Sequence, residues 1–558
     1  MKDEIKIFCE NSDTTETVKK GITLLELAEI LHIREKLNGI LIGAKVNYIT
    51  RPLDYSCLHS CTVRFMDITE SSGMRIYVRT LCFVLFAAVK KTLPQANLRI
   101  EYPVSKGYFC SLGLGRNIET EEIGRIKKEM QDLIAADLPI TCHEESAERI
   151  ISLFRERNYN ETADLIETSG KLYSYYYTLN GEIDFFDGSL APSTGYVQRF
   201  DILRFYDGIL LRVPNRNHPS ELEPVEKQPS LFNAFSNQID FQNILGVNNV
   251  GQLNRVIKDG KISQLVTVAE ALQEKNIIQI ADEITKRHKK DGVRIVLVSG
   301  PSSSGKTTFT KRLQIQLLAN LLKPVSISLD NYFVGRSRTP IDENGEYDFE
   351  SLYALDLPYL NRDLERLLNG ETVELPRFVF EAGESVMSGE KISLEESNIL
   401  ILEGIHALNP ELTKMIPDNV KYKVYVSALT AISLDNHNWV PTTDNRLIRR
   451  IIRDYNYRGH SVAATIARWQ SVRKGEDKWI FPYQENADSF FNSAMLYELA
   501  ALRYKAELIL MEVMPNQPEY GEALRLMKFL SYFNYINDDE LPRTSLLREF
   551  LGGSSFVY

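Results

Sequence analysis

The sequence predicts an α/β protein whose C-terminal half is a doubly wound parallel sheet, and three observations point there. From about residue 289 onward, short apolar runs at 293–298 (VRIVLV), 325–329, 398–402 and 422–426 alternate with helix-patterned stretches, as expected of strands buried under helices on both faces. Between the first run and the helix expected over 307–320 lies Gly300-Pro301-Ser302-Ser303-Ser304-Gly305-Lys306-Thr307, an ungapped match to the P-loop pattern G-x-x-x-x-G-K-[ST]. Acids stand just past the second and third runs, at Asp330 and Glu403, at the carboxyl ends of strands where such folds hold their ligands.

At 558 residues the chain is too long for one core, and it divides into segments 1–67, 68–225, 226–288 and 289–558. With 44% hydrophobic and 25% charged residues, the composition is that of a soluble globular protein. A net charge of −10 argues against bulk electrostatic binding of nucleic acid. All six cysteines, Cys9, Cys57, Cys61, Cys82, Cys110 and Cys142, fall in the first 142 residues. The opening MKDEIKIF is charged and lacks a signal-peptide core, so reduced thiols and a cytoplasmic location are expected. Cys57-x-x-x-Cys61 lacks the second pair a zinc finger needs. The apolar run 81–89 is half of a membrane span, so no membrane partner is expected.

Segment 1–67 reads as strand 5–8, an amphipathic helix over 22–31 capped by Thr23, and strands 41–48 and 61–65. This order, with AKVNYITRPLDY, resembles the TGS domain, a β-grasp module of threonyl-tRNA synthetases; the resemblance implies a regulatory or RNA-contacting module, with a plain docking domain as the alternative. Segment 68–225 carries ETEEIGRIKKEMQDLIAADLPI and FFDGSLAPSTGYVQRF, which resemble the α+β editing domain that follows TGS in those synthetases. The editing chemistry uses an H-x-x-x-H and a C-x-x-x-H pair, and these positions fall on Arg79 and Phe83 and on Phe186 and Leu190. Phe and Leu offer no lone pair and Arg keeps its proton, so the expectation is the editing fold without its activity. His143 stands alone, and the period-two run 173–177 (YSYYY) reads as a strand rather than a base-stacking platform. Segment 226–288 is a helical connector with no proline or Ser/Gly tract before the catalytic core, so a packed junction is expected.

In the catalytic half, Gly300, Ser302, Ser303, Ser304, Gly305, Lys306, Thr307 and Thr308 are the candidate triphosphate cradle, with Lys306 reaching the outer phosphates and the Thr307 hydroxyl on Mg²⁺. Asp330 is the candidate general base and, with Thr307 and Glu403, a candidate metal ligand. Over 444–457, Leu447, Ile448, Ile451, Ile452 and Tyr455 define one helix face, and Arg446, Arg449, Arg450 and Arg453 the other. Beside a P-loop these arginines read as a phosphate-closing lid.

GPSSSGKTTF, SISLDNYF, ILEGIHALNP and TDNRLIRRIIRDYNYRG resemble the uridine kinase and phosphoribulokinase family over most of 290–500. The whole arrangement, including the C-terminal SLLREFLGGSSF, resembles the multidomain uridine (nucleoside) kinases of bacteria. The resemblance implies phosphorylation of uridine or cytidine at the 5′-hydroxyl by ATP or GTP with Mg²⁺, with Asp330 as base and Lys306, Arg449 and Arg453 on the transferring group. It implies Asp348 and Arg446 on the substrate and Phe378 and Phe380 stacking the base, and it leaves room for a homo-oligomer. This sequence departs from the family in the base-reading segment 376–383, where Gly383 replaces a histidine and the tyrosine hydroxyl is gone; Arg377, Glu381 and His437 are the candidate substitutes. The alternatives are another hydroxyl acceptor, a different nucleoside or a sugar phosphate, and a nucleotide-sensing RNA-binding regulator.

Overall fold

The computed structural model describes residues 4–343, 345–379 and 382–557. The chain begins with strands β1 (Glu4–Cys9), β2 (Thr14–Lys19), β3 (Gly43–Val46), β4 (Ile49–Arg51) and β5 (Cys61–Met66), which form one sheet in the order β2-β1-β5-β3-β4. Helix α1 (Leu24–Ile30) starts at a capping box: the Thr23 hydroxyl accepts the Glu26 N–H, and the Glu26 carboxylate accepts the Thr23 N–H. The strand expected over 41–48 stops at Val46 because Asn47 and Tyr48 take positive φ, 47° and 69°, and turn the chain into β4.

Helix α2 (Ser71–Thr92) absorbs the apolar run 81–89. It is long and apolar enough to cross a membrane, yet its residues from Ile76 to Val89 are buried apart from Arg79. Around it lie β6 (Arg99–Val104), β7 (Gly107–Ser111), α3 (Thr120–Ala135), β8 (Thr141–Ser146), α4 (Ala147–Glu156), α5 (Asn160–Ser169), β9 (Tyr173–Leu179), β10 (Glu182–Asp184), β11 (Asp201–Phe205) and β12 (Gly208–Arg212). These strands form two antiparallel sheets, β11-β12-β7-β6 and β10-β9-β8. The tyrosine run is β9, and the Tyr175 and Tyr177 hydroxyls donate to the Phe186 and Gly188 carbonyls, at 3.1 and 3.0 Å. His143, on β8, meets the Thr178 hydroxyl at 3.1 Å. All six cysteines are free of disulfides.

The connector is α6 (Pro229–Leu245), α7 (Val250–Lys258) and an unbroken 30-residue α8 (Ile262–Asp291). The junction to the catalytic half is packed: buried Arg312 of helix α9 (Lys306–Ala319) donates to Gln273 of α8 at 2.7 Å and pairs with Glu274.

The catalytic sheet comprises β13 (Ile295–Ser299), β14 (Lys323–Ser328), β17 (Asn398–Glu403), β18 (Lys421–Ser427) and β19 (Ser489–Asn492), all parallel, in the order β14-β17-β13-β18-β19. The hairpin of β15 (Val373–Val379) and β16 (Glu384–Ile392) stands apart from it. Alternate residues serve two cores. Val296, Val298, Ile399 and Ile401 join the cluster shared with α9, α11 (Thr442–Arg458), α13 (Glu498–Leu510) and α14 (Tyr520–Leu530). Ile295, Leu297, Leu400 and Leu402 face Leu360, Leu364 and Leu367 of α10 (Leu357–Leu368). The register sets Val298 and Ser328 opposite Glu403, so the P-loop, Glu403 and the turn holding Asp330 open on one edge. Helix α12 (Val462–Trp479) and the short α15 (Arg548–Leu551) close that edge.

Candidate active site

The P-loop bridges β13 and α9. A Cβ at Gly300 would lie 2.0 Å from the Val426 carbonyl oxygen, so the loop passes too close to β18 for any side chain. Gly305 has φ +82°, and a Cβ there would lie 2.7 Å from the Leu546 side chain. Ser303, with no such excuse, holds φ 58°, a strained conformation of the kind found at ligand clamps. The buried hydroxyls of Ser303 and Ser304 have no hydrogen-bond partner.

Lys306 is buried, and its ammonium donates to the Pro301 carbonyl at 3.2 Å. Burial lowers its pKa, while Glu403, Asp330 and Glu549 oppose that and Arg453 adds to it. Glu403 accepts from the Thr307 hydroxyl, yet burial raises its pKa to about 7; Lys306 works against that shift, and Asp330 and Glu549 add to it. Thr307, Glu403 and Asp330 offer the hard oxygen donors Mg²⁺ favours, and the carboxylates crowding Glu403 are an arrangement a divalent cation relieves. Among the described residues no three His, Cys, Asp or Glu side chains converge as a metal cluster; the donors here are two acids and one hydroxyl, fitting an ion that keeps its waters.

The basic helix α11 differs from its expected form. Its arginines do not share one solvent face; they divide. Arg446 and Arg449 are 1% and 0% exposed. Arg446 donates to the Ser302 carbonyl at 3.0 Å and pairs with Glu476 of α12. Arg449 commits all five N–H donors: to both Glu498 oxygens, to the hydroxyl and carbonyl of Ser493, and to the Ser303 carbonyl at 3.3 Å. With no donor left, Arg449 holds the P-loop backbone from within instead of contacting a phosphoryl group, and Arg446 does the same beside it. The catalytic role expected of Arg449 is corrected on this ground, and the substrate contact expected of Arg446 on its burial at 1% exposure. Arg450, Arg453 and Arg458 remain at the mouth. Arg450 donates to the Ser302 hydroxyl at 2.7 Å, and Arg453 to Asp454 at 3.0 Å. Burial lowers the pKa of Arg450 and Arg458; neighbouring Arg453 depresses both further, and Arg450 depresses Arg458 as well. The result is a cluster of cations beside Lys306 in which one carboxylate, Asp454, pairs with Arg450, Arg453 and Arg458.

Two acids missed by sequence reasoning reach the loop. Glu476 accepts the Ser302 N–H at 3.2 Å and pairs with Arg473 at 2.9 Å. Glu549, on α15, accepts the Thr308 N–H at 3.3 Å and the Thr308 hydroxyl at 2.6 Å.

On the acceptor side, Asp330 sits half-buried in the turn after β14, its N–H donating to the Ser328 hydroxyl. Phe378 lies on β15 with its ring 5.6 Å from that of Phe333, three residues past Asp330. Asp348 accepts the Glu350 N–H at 3.2 Å. Phe380 and Glu381 lie outside the described residues. Glu350 keeps one buried carboxylate oxygen without a partner, and burial raises its pKa to about 7. Neither ring nitrogen of buried His406 makes a hydrogen bond of good geometry, and burial lowers its pKa to about 4, so the ring is neutral. Both lie close enough to Lys306 to feel its charge. Buried polar atoms without partners were the missing signal, and no spacing in the sequence displays it. His437 is removed from the base-reading candidates, because it pairs with Asp184 of the N-terminal half at 2.7 Å and packs its ring 4.5 Å from Phe86.

In the N-terminal half, the positions onto which the two expected editing pairs fall come together. The rings of Phe83 and Phe186 are 5.5 Å apart, Leu190 is buried in the same core, and the Arg79 guanidinium lies over the Gly188 Cα.

Residues 295–499 match the model of the Phosphoribulokinase / Uridine kinase family. A uridine kinase of Bacillus velezensis is 29% identical over 195 residues, 35% of this chain and 83% of that protein. A uridine kinase of Staphylococcus haemolyticus is likewise 29% identical over 195 residues, 35% of this chain and 84% of that one. A solved kinase structure from Silicibacter sp. TM1040 shares 19% identity over 38% of this chain and 98% of that one, with a TM-score of 0.29. The C-terminal region of this chain is a P-loop kinase domain of the phosphoribulokinase / uridine kinase family.

Proposed function

We propose that this chain transfers the terminal phosphoryl group of ATP or GTP to the 5′-hydroxyl of a pyrimidine nucleoside, uridine or cytidine. The observation that carries the reading is the P-loop itself, with buried Lys306, the partnerless hydroxyls of Ser303 and Ser304, and Arg450, Arg453 and Arg458 gathered at its mouth, which suits a polyphosphate. Asp330 takes the proton of the acceptor hydroxyl as its oxygen bonds the terminal phosphorus. The bond to the bridging oxygen breaks, and the negative charge gathering on the leaving diphosphate falls against Lys306 and the P-loop amides. Thr307, Glu403 and Asp330 would hold a Mg²⁺ ion, which would supply charge neutralisation for the transferring group. Arg446 and Arg449 act earlier, by fixing the Ser302 and Ser303 carbonyls so that the loop is preorganised.

A second reading, another hydroxyl acceptor on the same machinery, is favoured by one observation. At Gly383, where the base-reading histidine of the family would stand, a Cβ would lie 3.0 Å from Arg336 Nε at φ +70°, so the backbone is shaped for glycine. A nucleoside and sugar-phosphate panel with labelled ATP separates the two. Uridine and cytidine are expected to be the best acceptors; a panel in which both stay unlabelled while another hydroxyl compound is phosphorylated sinks the first reading.

A further inference from the structure

The last helix of the chain reaches the phosphate cradle. We infer that Glu549 belongs to the nucleotide site as the chain's own stand-in for a phosphate group, which the triphosphate must displace. The inference rests on the nucleotide-binding reading of the P-loop.

Three observations carry it. Helix α9 begins at Lys306, and Phe309 is its first residue whose N–H reaches an intrahelical carbonyl, at Gly305. The Thr308 N–H is therefore one of the first-turn donors not spent on an intrahelical carbonyl, and such donors together with the helix dipole favour an anion. Glu549 Oε2 takes that N–H at 3.3 Å and the Thr308 hydroxyl at 2.6 Å. Second, Glu549 acts on the machinery around it, since its charge bears on both Lys306 and Glu403. Third, the segment that carries it is fixed. Leu546, Leu547 and Phe550 are fully buried, and Leu546 packs on Gly305. Arg449 lies over the Phe550 ring at 5.1 Å, and the Arg548 guanidinium donates to the Asp538 and Leu541 carbonyls at 2.6 and 2.7 Å. The backbone of α15 is thus anchored, and only the Glu549 side chain has to swing.

A carboxylate on Thr308 repels an incoming triphosphate, so Glu549 sets nucleotide affinity below what the cradle alone would give. The test measures direct binding of ATP and of adenosine to the full chain and to Glu549→Gln and Glu549→Ala, with thermal unfolding as the check on folding. Wild-type binding of ATP is the control on the underlying reading: if it is absent, the P-loop assignment fails and not this inference. With wild-type binding in hand, both variants are expected to bind ATP about tenfold more tightly at low salt, with the gain shrinking as salt screens the repulsion. Adenosine, which carries no phosphate, should bind all three alike. Unchanged or weaker ATP binding by folded variants, or an equal gain for adenosine, overturns the inference.

Discussion

The two halves of this chain differ in what stands at the positions where chemistry is expected. Around the P-loop, Ser303, Ser304, Glu350 and His406 keep buried oxygens and nitrogens without partners, and four cations crowd one another. In the N-terminal half, the positions onto which the expected editing pairs fall hold Phe83, Phe186 and Leu190, closed into a core. Arg79 lines a cavity of about 90 Å³ there, shared with Trp439 and Phe529 of the C-terminal half. Orphaned polar atoms and crowded like charges cost folding free energy, so a fold keeps them where a ligand completes them. An apolar plug contributes stability and needs no ligand. On this contrast the expected chemistry lies in the second half, and the expected editing positions of the first hold no side chain that could perform theirs.

The largest expected effect breaks the catalytic side of the contrast. Asp330→Asn keeps the shape of the side chain and removes its basicity, so turnover should fall by about 10²–10⁴ while ATP binding stays near normal. Near-normal turnover would remove Asp330 as the base. Next is the buried support beneath the loop. Glu498→Gln leaves Arg449 charged at 0% exposure with its carboxylate gone, and loss of one partner of a buried pair costs about 3–5 kcal/mol. Urea unfolding should show that loss, and the KM for ATP should rise because the Ser303 carbonyl loses its fixed donor. A variant of wild-type stability would mean that the pair is not what holds the loop. Phe186→Ala probes the other half. It should cost about 3 kcal/mol by opening a cavity beside Phe83, with kcat and KM unchanged below the melting range. A loss of turnover in the still-folded variant would show that the N-terminal core is coupled to catalysis.

Much of this was legible in the sequence, and what was not has a physical cause. Strands β13, β17 and β18 follow from apolar runs because a strand buried on both faces needs them, whereas β14, at the sheet edge, has only Ile327 buried and was legible from its β-branched residues. The short β19, with its sequence SFFN, gives no such run. The P-loop and its strand-tip acids were legible because they are local to one strand–loop–helix unit and to the ends of its neighbours. The division of the α11 arginines was not, because helical spacing places Arg446, Arg449, Arg450 and Arg453 on one broad face, and only tertiary structure brings Glu476 and Glu498 under two of them. Glu549 was hidden for the same reason, lying 241 residues from Thr308. His437 misled because an isolated histidine carries no sign of its partner, and Asp184 is 253 residues away.

The smallest effect is the most diagnostic of a metal at the strand tips. Glu403 is held up to about 7 by burial and by neighbouring Asp330 and Glu549. At pH 6 most of the population carries a proton that a cation must release, so the Mg²⁺ midpoint for activity should rise about tenfold per pH unit below 7 and level off above it. The nucleotide-free protein should follow the opposite trend. A carboxyl whose pKa is raised by folding from its ordinary 4.5 holds its proton more tightly in the folded state. Its stabilising contribution is complete below about 4.5 and is lost as pH climbs through 7. Glu350, also raised to about 7, adds to that decline. Apo thermal stability should therefore drop between pH 5 and 8 over the range in which Mg²⁺ binding strengthens. Glu403→Gln should flatten the pH dependence of the Mg²⁺ midpoint and only part of the stability trend, because Glu350 still titrates. A Mg²⁺ midpoint already flat between pH 6 and 8 in the wild type would remove Glu403 from the metal site and leave Thr307 and Asp330 to hold the ion alone.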